Sequence, residues 1–397
     1  MREGWTQTTL GEVAQWHSGG TPKAGAAKFY DNGSIPWVVI SDMLQGEIHD
    51  TATRITQEAL EAIGGRLAPS DSVLISMYAT VGRPAIARIP VATNQAIAWS
   101  VPDINLIFPR FLLLVAQGLE HEISSLARGA TQRNINRAML REFSFLLPPL
   151  AEQRRIVDVI GSVDAYVASL ESYANAARTA RAALLHELLT TNTQGWKETT
   201  LGEVAQWHSG GTPKAGAAKF YDNGSIPWVV ISDMLQGEIH DTATRITQEA
   251  LEAIGGRLAP SDSVLISMYA TVGRPAIARI PVATNQAIAW SIPDIKLILP
   301  WFLLLVAQGL EHEISSQARG ATQRNINRAM LREFSFFLPP LAEQKRIVDV
   351  IGAVDGAIAG ADRAAEDARN LRSGLLSDLL SGDHEIPAGY DRLLGAA

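Results

Sequence analysis

Residues Leu147 to Leu170 read LPPLAEQRRIVDVIGSVDAYVASL, and from Leu338 the chain reads LPPLAEQKRIVDVIGAVDGAIAG. The offset between them, 338 minus 147, is 191 residues, and it also carries Leu10 onto Leu201, Trp37 onto Trp228 and Arg133 onto Arg324. Between Thr8 and Asp164 only eight positions differ from the second copy, among them Asn105/Lys296, Arg110/Trp301 and Leu126/Gln317, while Leu10 to Ser100 match throughout. A period this long is a domain with its connector, far beyond the roughly 20 to 50 residues of a solenoid repeat. The chain is a tandem duplication of a globule followed by a helix.

The helical part is read from its apolar stripe. Ile156, Ile160, Val163, Val167, Leu170, Ala174, Ala177, Arg181, Leu184 and Leu188 alternate spacings of four and three, and Ile347, Ile351, Val354, Ile358, Ala361, Ala365, Ala368, Arg372, Leu375 and Leu379 repeat that register. A 3.5-residue period belongs to a helix packed lengthwise on another helix. Each stripe predicts a helix of about 40 residues, about 60 Å long. Two such stripes in one chain are expected to bury their seams on each other. Antiparallel pairing is expected because the second globule returns the chain to the start of the second helix. Arg181 and Arg372, one per seam, are expected to snorkel or to pair with an acid on the partner helix.

The globule reads as α+β. Ile35-Pro36-Trp37-Val38-Val39-Ile40 is a predicted strand whose proline places its start near a sheet edge. Ile55 to Ile63 predicts a helix stopped at Gly64-Gly65, Ser72 to Tyr78 and Ala96 to Val101 two further strands, and Phe111 to Ala127 a helix. Trp5, Trp16, Trp37 and Trp99 are expected in core or interdomain packing. The domains are therefore 1–147, helix 148–193, 194–338, helix 339–381 and a short acidic tail, 382–397, expected to be loosely ordered.

Composition narrows the function. With 47% apolar and 19% charged residues the 397-residue chain can bury real cores. It has no cysteine, which excludes disulfides and thiolate chemistry. No signal peptide is evident and the most apolar run, Phe111 to Ala116, is too short to span a bilayer, so a cytoplasmic protein is expected. A net charge of -7 argues against indiscriminate nucleic-acid binding. Catalytic patterns are missing: there is no GxxxxGK[ST], no GxGxxG after a strand, no HExxH, and Ser41 and Ser76 lack a nucleophile elbow. His17, His49 and His121 are scattered, and the chain is expected to be non-catalytic with no metal site.

One segment stands out: Arg128-Gly-Ala-Thr131-Gln132-Arg133-Asn134-Ile-Asn136-Arg137, with Arg141 just beyond, repeated from Arg319 through Thr322, Gln323, Arg324, Asn325 and Arg328. Arginine forks match phosphates and the O6/N7 edge of guanine, while Asn and Gln amides match the N6/N7 edge of adenine. Lys23, Lys28 and Tyr30, Met77, Tyr78, Thr80 and Arg83, and Asn94 and Gln95 flank predicted strands and are further candidate DNA contacts, as are Lys214, Lys219, Tyr221, Met268, Tyr269, Thr271, Arg274, Asn285 and Gln286 in the second copy. A solvated basic surface paired with local acids is the competing reading.

Trp5 with Leu10-Gly11-Glu12, Ser18-Gly19-Gly20-Thr21-Pro22, Ile35-Pro36-Trp37, Val73 to Ser76, Thr93-Asn94-Gln95, Gly129 to Asn136 and Leu147 to Ile156 together resemble the DNA specificity subunit of type I restriction-modification systems. The resemblance covers nearly the whole chain twice, and the PPLAEQ entry into a long helix is its most specific element. It implies two target-recognition domains on two antiparallel helices and double-stranded DNA as ligand. It also implies two modification subunits that methylate adenine N6 with S-adenosylmethionine, and restriction subunits that use ATP and Mg where present. No cofactor is implied for this chain. Members commonly carry unlike recognition domains, whereas these are near copies, so an interrupted palindromic target is expected, its half-sites about one duplex turn apart. A coiled-coil scaffold that binds protein, or a stand-alone nuclease, are the other function classes.

Overall fold

The computed structural model describes residues 2–129, 134–191, 193–320 and 325–394. They fall into two compact units, Met1–Leu170 with Arg363–Ala397, and Glu171–Asp362. Each unit therefore holds one globule and one half of each long helix.

In the first unit the order is β1 (Thr6–Thr9), α1 (Leu10–Val13), β2 (Ala14–Ser18), α2 (Ala27–Tyr30), β3 (Ile35–Val38), β4 (Glu47–Ile48), β5 (Arg54–Ile55), α3 (Gln57–Ala62), β6 (Val73–Ser76), β7 (Pro84–Ala87), β8 (Ala92–Thr93), β9 (Ile97–Pro102), α4 (Pro109–Gly129), α5 (Arg137–Arg141), β10 (Ser144–Leu147) and the start of α6 (Leu150–Thr190). The central sheet has the order β2-β9-β6-β7-β4, antiparallel except where β4 runs parallel to β7. A second sheet has the order β5-β3-β8, and β1 pairs with β10. The second unit repeats every one of these pairings.

The run Val73-Leu74-Ile75-Ser76 does not alternate because both faces of β6 are covered. Val73 and Ile75 pack into the cluster built on α4, while Leu74 packs with Val38, Met43 and Ile48 on the other face. Trp5, Trp16, Trp37 and Trp99 are all buried, as expected. Strand β3 has a neighbour on one side only where it starts, as its proline predicts. It pairs with β5 through Ile35 and Pro36 and with β8 through Trp37 and Val38, so the proline lies outside the two-residue stretch that pairs with β8.

Gly19 shows how tightly β2 ends against its neighbours. A Cβ there would lie 2.1 Å from the Thr93 carbonyl oxygen. Gly19→Ala is expected to cost about 1 to 3 kcal/mol through the forced backbone shift, seen as a lower urea midpoint with an unchanged m-value.

The long helices are α6 and Leu341–Ser381. In the first unit they run antiparallel: Ile156 and Ile160 share a core with Leu376 and Leu379, and the Arg372 guanidinium pairs with Asp164. In the second unit Arg181 pairs with Asp355 and Arg178 with Asp362, again antiparallel. Arg372 also donates to Gln117 Oε1 of α4 at 2.8 Å, and Arg181 to Gln308 Oε1 at 3.0 Å, so each seam arginine ties helix to helix and helix to globule. Near its end α6 buries Leu185 rather than Leu184 or Leu188, and the second long helix buries Leu376 as well as Leu379, because that part of each long helix also packs on a globule.

The tail is more ordered than its composition suggests. Ile386 is buried in the cluster that holds Trp5, Tyr390 Oη donates to Asp158 Oδ2 at 2.5 Å, and Arg155 holds Asp391 through two bonds of 2.7 Å.

Candidate nucleic-acid interface

Antiparallel order places the C-terminal end of β2, the N-terminal end of β9 and the C-terminal end of β6 at the same edge of the central sheet. The loops Ser18–Lys23, Met77–Arg83 and Asn94–Ala96 therefore meet there, although they are far apart in sequence. The segment after the arginine-rich turn joins them, since Ile135 N donates to the Met77 carbonyl at 3.2 Å and Met77 N donates to the Ala96 carbonyl at 2.7 Å. Asn136 then caps α5, its side chain accepting from Met139 N at 3.0 Å, and so fixes Arg137 at the first position of that helix.

The candidates divide by what their side chains do. Tyr78 is 41% exposed, Thr80, Gln95, Asn134 and Arg137 are exposed, and Arg83 and Asn94 are partly so. Between Tyr78 and Thr80 the chain turns through Ala79 at φ 57°, where the Thr80 carbonyl accepts from Ser76 Oγ. Asn94 Oδ1 accepts from Ala96 N at 2.9 Å, which rigidifies the loop and leaves the amide nitrogen of Asn94 free of that bond. Met77 is buried in the core. Tyr30 Oη donates to the Pro22 carbonyl at 3.0 Å and packs edge-on against Trp37 at 6.2 Å between centroids, so it supports the glycine loop from behind. Lys28 pairs with Glu58 and lies over Phe29, while Lys23 beside it is exposed. The same holds in the second copy for Tyr269, Thr271, Gln286 and Arg328, which are exposed, for partly exposed Arg274, Asn285 and Asn325, for buried Met268, for Tyr221 on the Pro213 carbonyl, for Lys219 with Glu249, and for exposed Lys214. Thr131, Gln132 and Arg133 with Thr322, Gln323 and Arg324 lie outside the described residues, as do the side chains of Arg128 and Arg319.

Two residues that sequence reading did not select belong to this edge. His17, next to last in β2, stacks on Trp99 with ring centroids 4.3 Å apart, and Arg66 Nη1 lies 3.5 Å from its Nδ1. Burial holds the His17 imidazolium below the usual histidine range, and the charges of Arg66 and Arg137 push in the same direction. His208 is held down likewise by burial, Arg257 and Arg328. Arg66 follows the pair Gly64-Gly65, both at positive φ, and borders a notch of about 130 Å³ lined by Ser18, Gly19, Gly20, Ile63, Gly64 and Thr93. The sequence signal was the glycine pair, which reads only as a helix stop until the sheet brings it beside β2.

Charge separates this edge from the rest of the globule. Arg54 pairs with Asp50, and Arg88 with Glu47 and Asp71. Among the described residues no carboxylate forms an ion pair with Arg66, Arg83 or Arg137, or with Arg257 or Arg328, while Arg274 feels the charge of Glu311. Uncompensated guanidinium groups held apart on rigid elements suit a polyanion. The described residues contain no group of three or more metal-ligating side chains and no helix long and apolar enough to cross a membrane.

The depressed His17 and His208 have a consequence for stability. An unfolded histidine takes a proton near 6.5, whereas the folded one resists it, so stability is full above that pH and falls as pH drops from there toward the depressed folded value. Urea midpoints at pH 7.5 and 5.5 are expected to differ less in His17→Gln/His208→Gln than in the parent chain.

Comparisons with known proteins give the family of the chain. The family described as type I restriction modification DNA specificity domain matches residues 2–176 and 193–363, once per copy. The EcoR124I/EcoR124II specificity subunit of Escherichia coli is 27% identical over 211 residues, 52% of each chain, and the MjaIX specificity subunit of Methanocaldococcus jannaschii is 20% identical over 402 residues, 95% of this chain and 92% of that one. Among solved structures, a protein described under complex assembly and conformational transition of the type I restriction-modification system superposes with a TM-score of 0.68 at 20% identity, covering 97% of this chain and 99% of its own. The specificity subunit from Thermoanaerobacter tengcongensis superposes with a TM-score of 0.53, also at 20% identity, over 97% and 98% of the two chains. Matched over both repeats, this chain belongs to the family of type I restriction modification DNA specificity domains.

Proposed function

We propose that the chain reads DNA sequence for a type I restriction-modification complex, with one sheet edge of each unit presented to the duplex. The observation that carries this reading is the set of arginines without carboxylate partners at that edge, repeated in both copies. Arg66, Arg83 and Arg137, with Lys23, hold phosphates. Tyr78, Thr80, Asn94, Gln95 and Asn134, with the arginine turn from Arg128 to Arg133, meet base edges. Met77 and Tyr30 pack behind them. The second copy does the same with Arg257, Arg274, Arg328 and Lys214.

The chemistry is assigned to partners. Two modification subunits dock on the long helices and transfer a methyl group from S-adenosylmethionine to adenine N6, and restriction subunits, where present, use ATP and Mg. The adenine is extruded from the duplex into the modification subunit, so this chain needs no catalytic group. The complex works in the cytoplasm. Because Leu10 to Ser100 recur without change in the second copy, both readers recognise the same half-site, and the target is an interrupted palindrome.

Fluorescence anisotropy tests the reading, with the chain alone and with its modification subunit, on genomic-sequence duplexes at several salt concentrations. Salt-dependent binding that sharpens to one motif when the modification subunit is added is expected. Binding only to the protein partner, with none to DNA, would leave a scaffold.

A further inference from the structure

The two long helices begin with almost the same surface, but only one of them is covered. Residues 152–160 and 343–351 differ only at Arg154/Lys345. In the first unit the tail lies across that surface. Ile386 enters the core cluster that holds Trp5, Gly382 lies against the Trp5 ring, Asp391 takes both nitrogens of the Arg155 fork at 2.7 Å each, and Tyr390 reaches Asp158 at 2.5 Å. Arg2 completes the clasp from the chain start, on Glu152 at 2.7 Å and Glu385 at 3.1 Å. The Arg155 side chain is left 15% exposed and that of Glu152 12%.

In the second unit no segment of the described residues takes this place. Arg346, the counterpart of Arg155, folds back on its own helix to Glu343 at 2.7 Å and is 54% exposed, while Glu343 is 31% exposed. Asp349, the counterpart of Asp158, holds only the exposed Lys345, at 3.1 Å. Trp196, which matches buried Trp5, is only partly buried. An i,i+3 pair on a helix surface is weak and exchanges easily for a better partner. The second unit thus keeps a guanidinium fork, a carboxylate acceptor and an apolar flank, all built to the pattern that the tail satisfies in the first.

We propose that this face of the second unit is a docking site for a partner protein's acidic segment with the chemistry of the tail: an isoleucine-sized apolar residue followed four and five positions later by tyrosine and aspartate. The aspartate takes the Arg346 fork from Glu343, the tyrosine hydroxyl donates to Asp349, and the apolar residue covers Trp196. The tail blocks the equivalent face of the first unit, so a chain carries one such site rather than two. This asymmetry does not depend on DNA binding.

The probe is a synthetic peptide of residues 382–397 titrated calorimetrically into the full chain. One equivalent is expected to bind. Arg346→Ala is expected to weaken it about tenfold or more, the effect of losing a bidentate charged contact, whereas Arg155→Ala, on the covered face, leaves it unchanged. Absence of saturable binding, equal weakening by both substitutions, or indifference to Arg346→Ala would overturn the site. A dimer of the intact chain in sedimentation that Arg346→Ala abolishes would overturn the choice of occupant, because the tail of a second copy would then fill the face.

Discussion

Glutamine at Arg66, Arg137, Arg257 and Arg328 together is expected to lower the affinity for the cognate duplex on the order of a thousandfold near 0.15 M salt. Each phosphate contact contributes about 0.9 to the slope of log K against log salt, so four losses flatten that slope by roughly 3 to 4 and remove about 0.7 log unit each at that ionic strength. The effect is uniform across sequences, because phosphates carry no base information. The fold is expected to survive, since these arginines have no carboxylate partners to strand. Anisotropy titrations from low to high salt measure both quantities. A slope that does not change would remove these side chains from the interface. Substituting Asn94 or Gln95 has the opposite signature, a loss of about 1 to 3 kcal/mol confined to one position of the target.

The second large effect is on stability. Gln153 is fully buried, accepts from Phe108 N at 2.9 Å, and donates to the Leu106 carbonyl at 2.8 Å and the Pro148 carbonyl at 2.9 Å. It thereby ties the entry of α4 to the entry of α6, and Gln344 repeats the arrangement on Leu299 N and the Leu297 and Pro339 carbonyls. Gln153→Ala leaves the buried Pro148 carbonyl and the partly buried Phe108 N–H and Leu106 carbonyl unpaired, at up to about 1 to 3 kcal/mol each before relaxation. A total of roughly 3 to 5 kcal/mol and a Tm drop on the order of 10 °C are expected. Gln153→Glu is expected to be at least as damaging, because it keeps the acceptor but turns an oxygen toward two carbonyl oxygens. A loss under about 1 kcal/mol in thermal or urea unfolding would mean that the bonds to Gln153 are not what holds the junction.

Much of the fold was legible because its signals are local or periodic. The offset of 191 residues located both units, and the alternating four and three spacing gave the long helices, down to seam arginines that do find Asp164 and Asp355. The strands read over Ser72 to Tyr78 and Ala96 to Val101 are β6 and β9, while β2, whose stretch Ala14–Ser18 carries no comparable apolar run, was not legible. That β2, β9 and β6 share an edge was not legible either, since it rests on pairings such as Trp16 with Ser100 and Leu74 with Trp99 that sequence alone does not rank. His17 and Arg66 were missed for that reason, and Gln153 was quoted as a motif without its bonds. The tail was misjudged because its stability comes from Arg155, Asp158 and Trp5, more than 200 residues upstream, and not from any pattern of its own.

Methylation mapping of DNA modified by this chain with its modification subunits tests the central claim most directly. Two copies that match at every position from Leu10 to Ser100 present the same groups to DNA, so the account predicts a single interrupted motif whose two half-sites are inverted repeats of one sequence, with one adenine methylated in each. Methylated motifs with two unlike half-sites, or adenine methylation that follows no sequence, would contradict it.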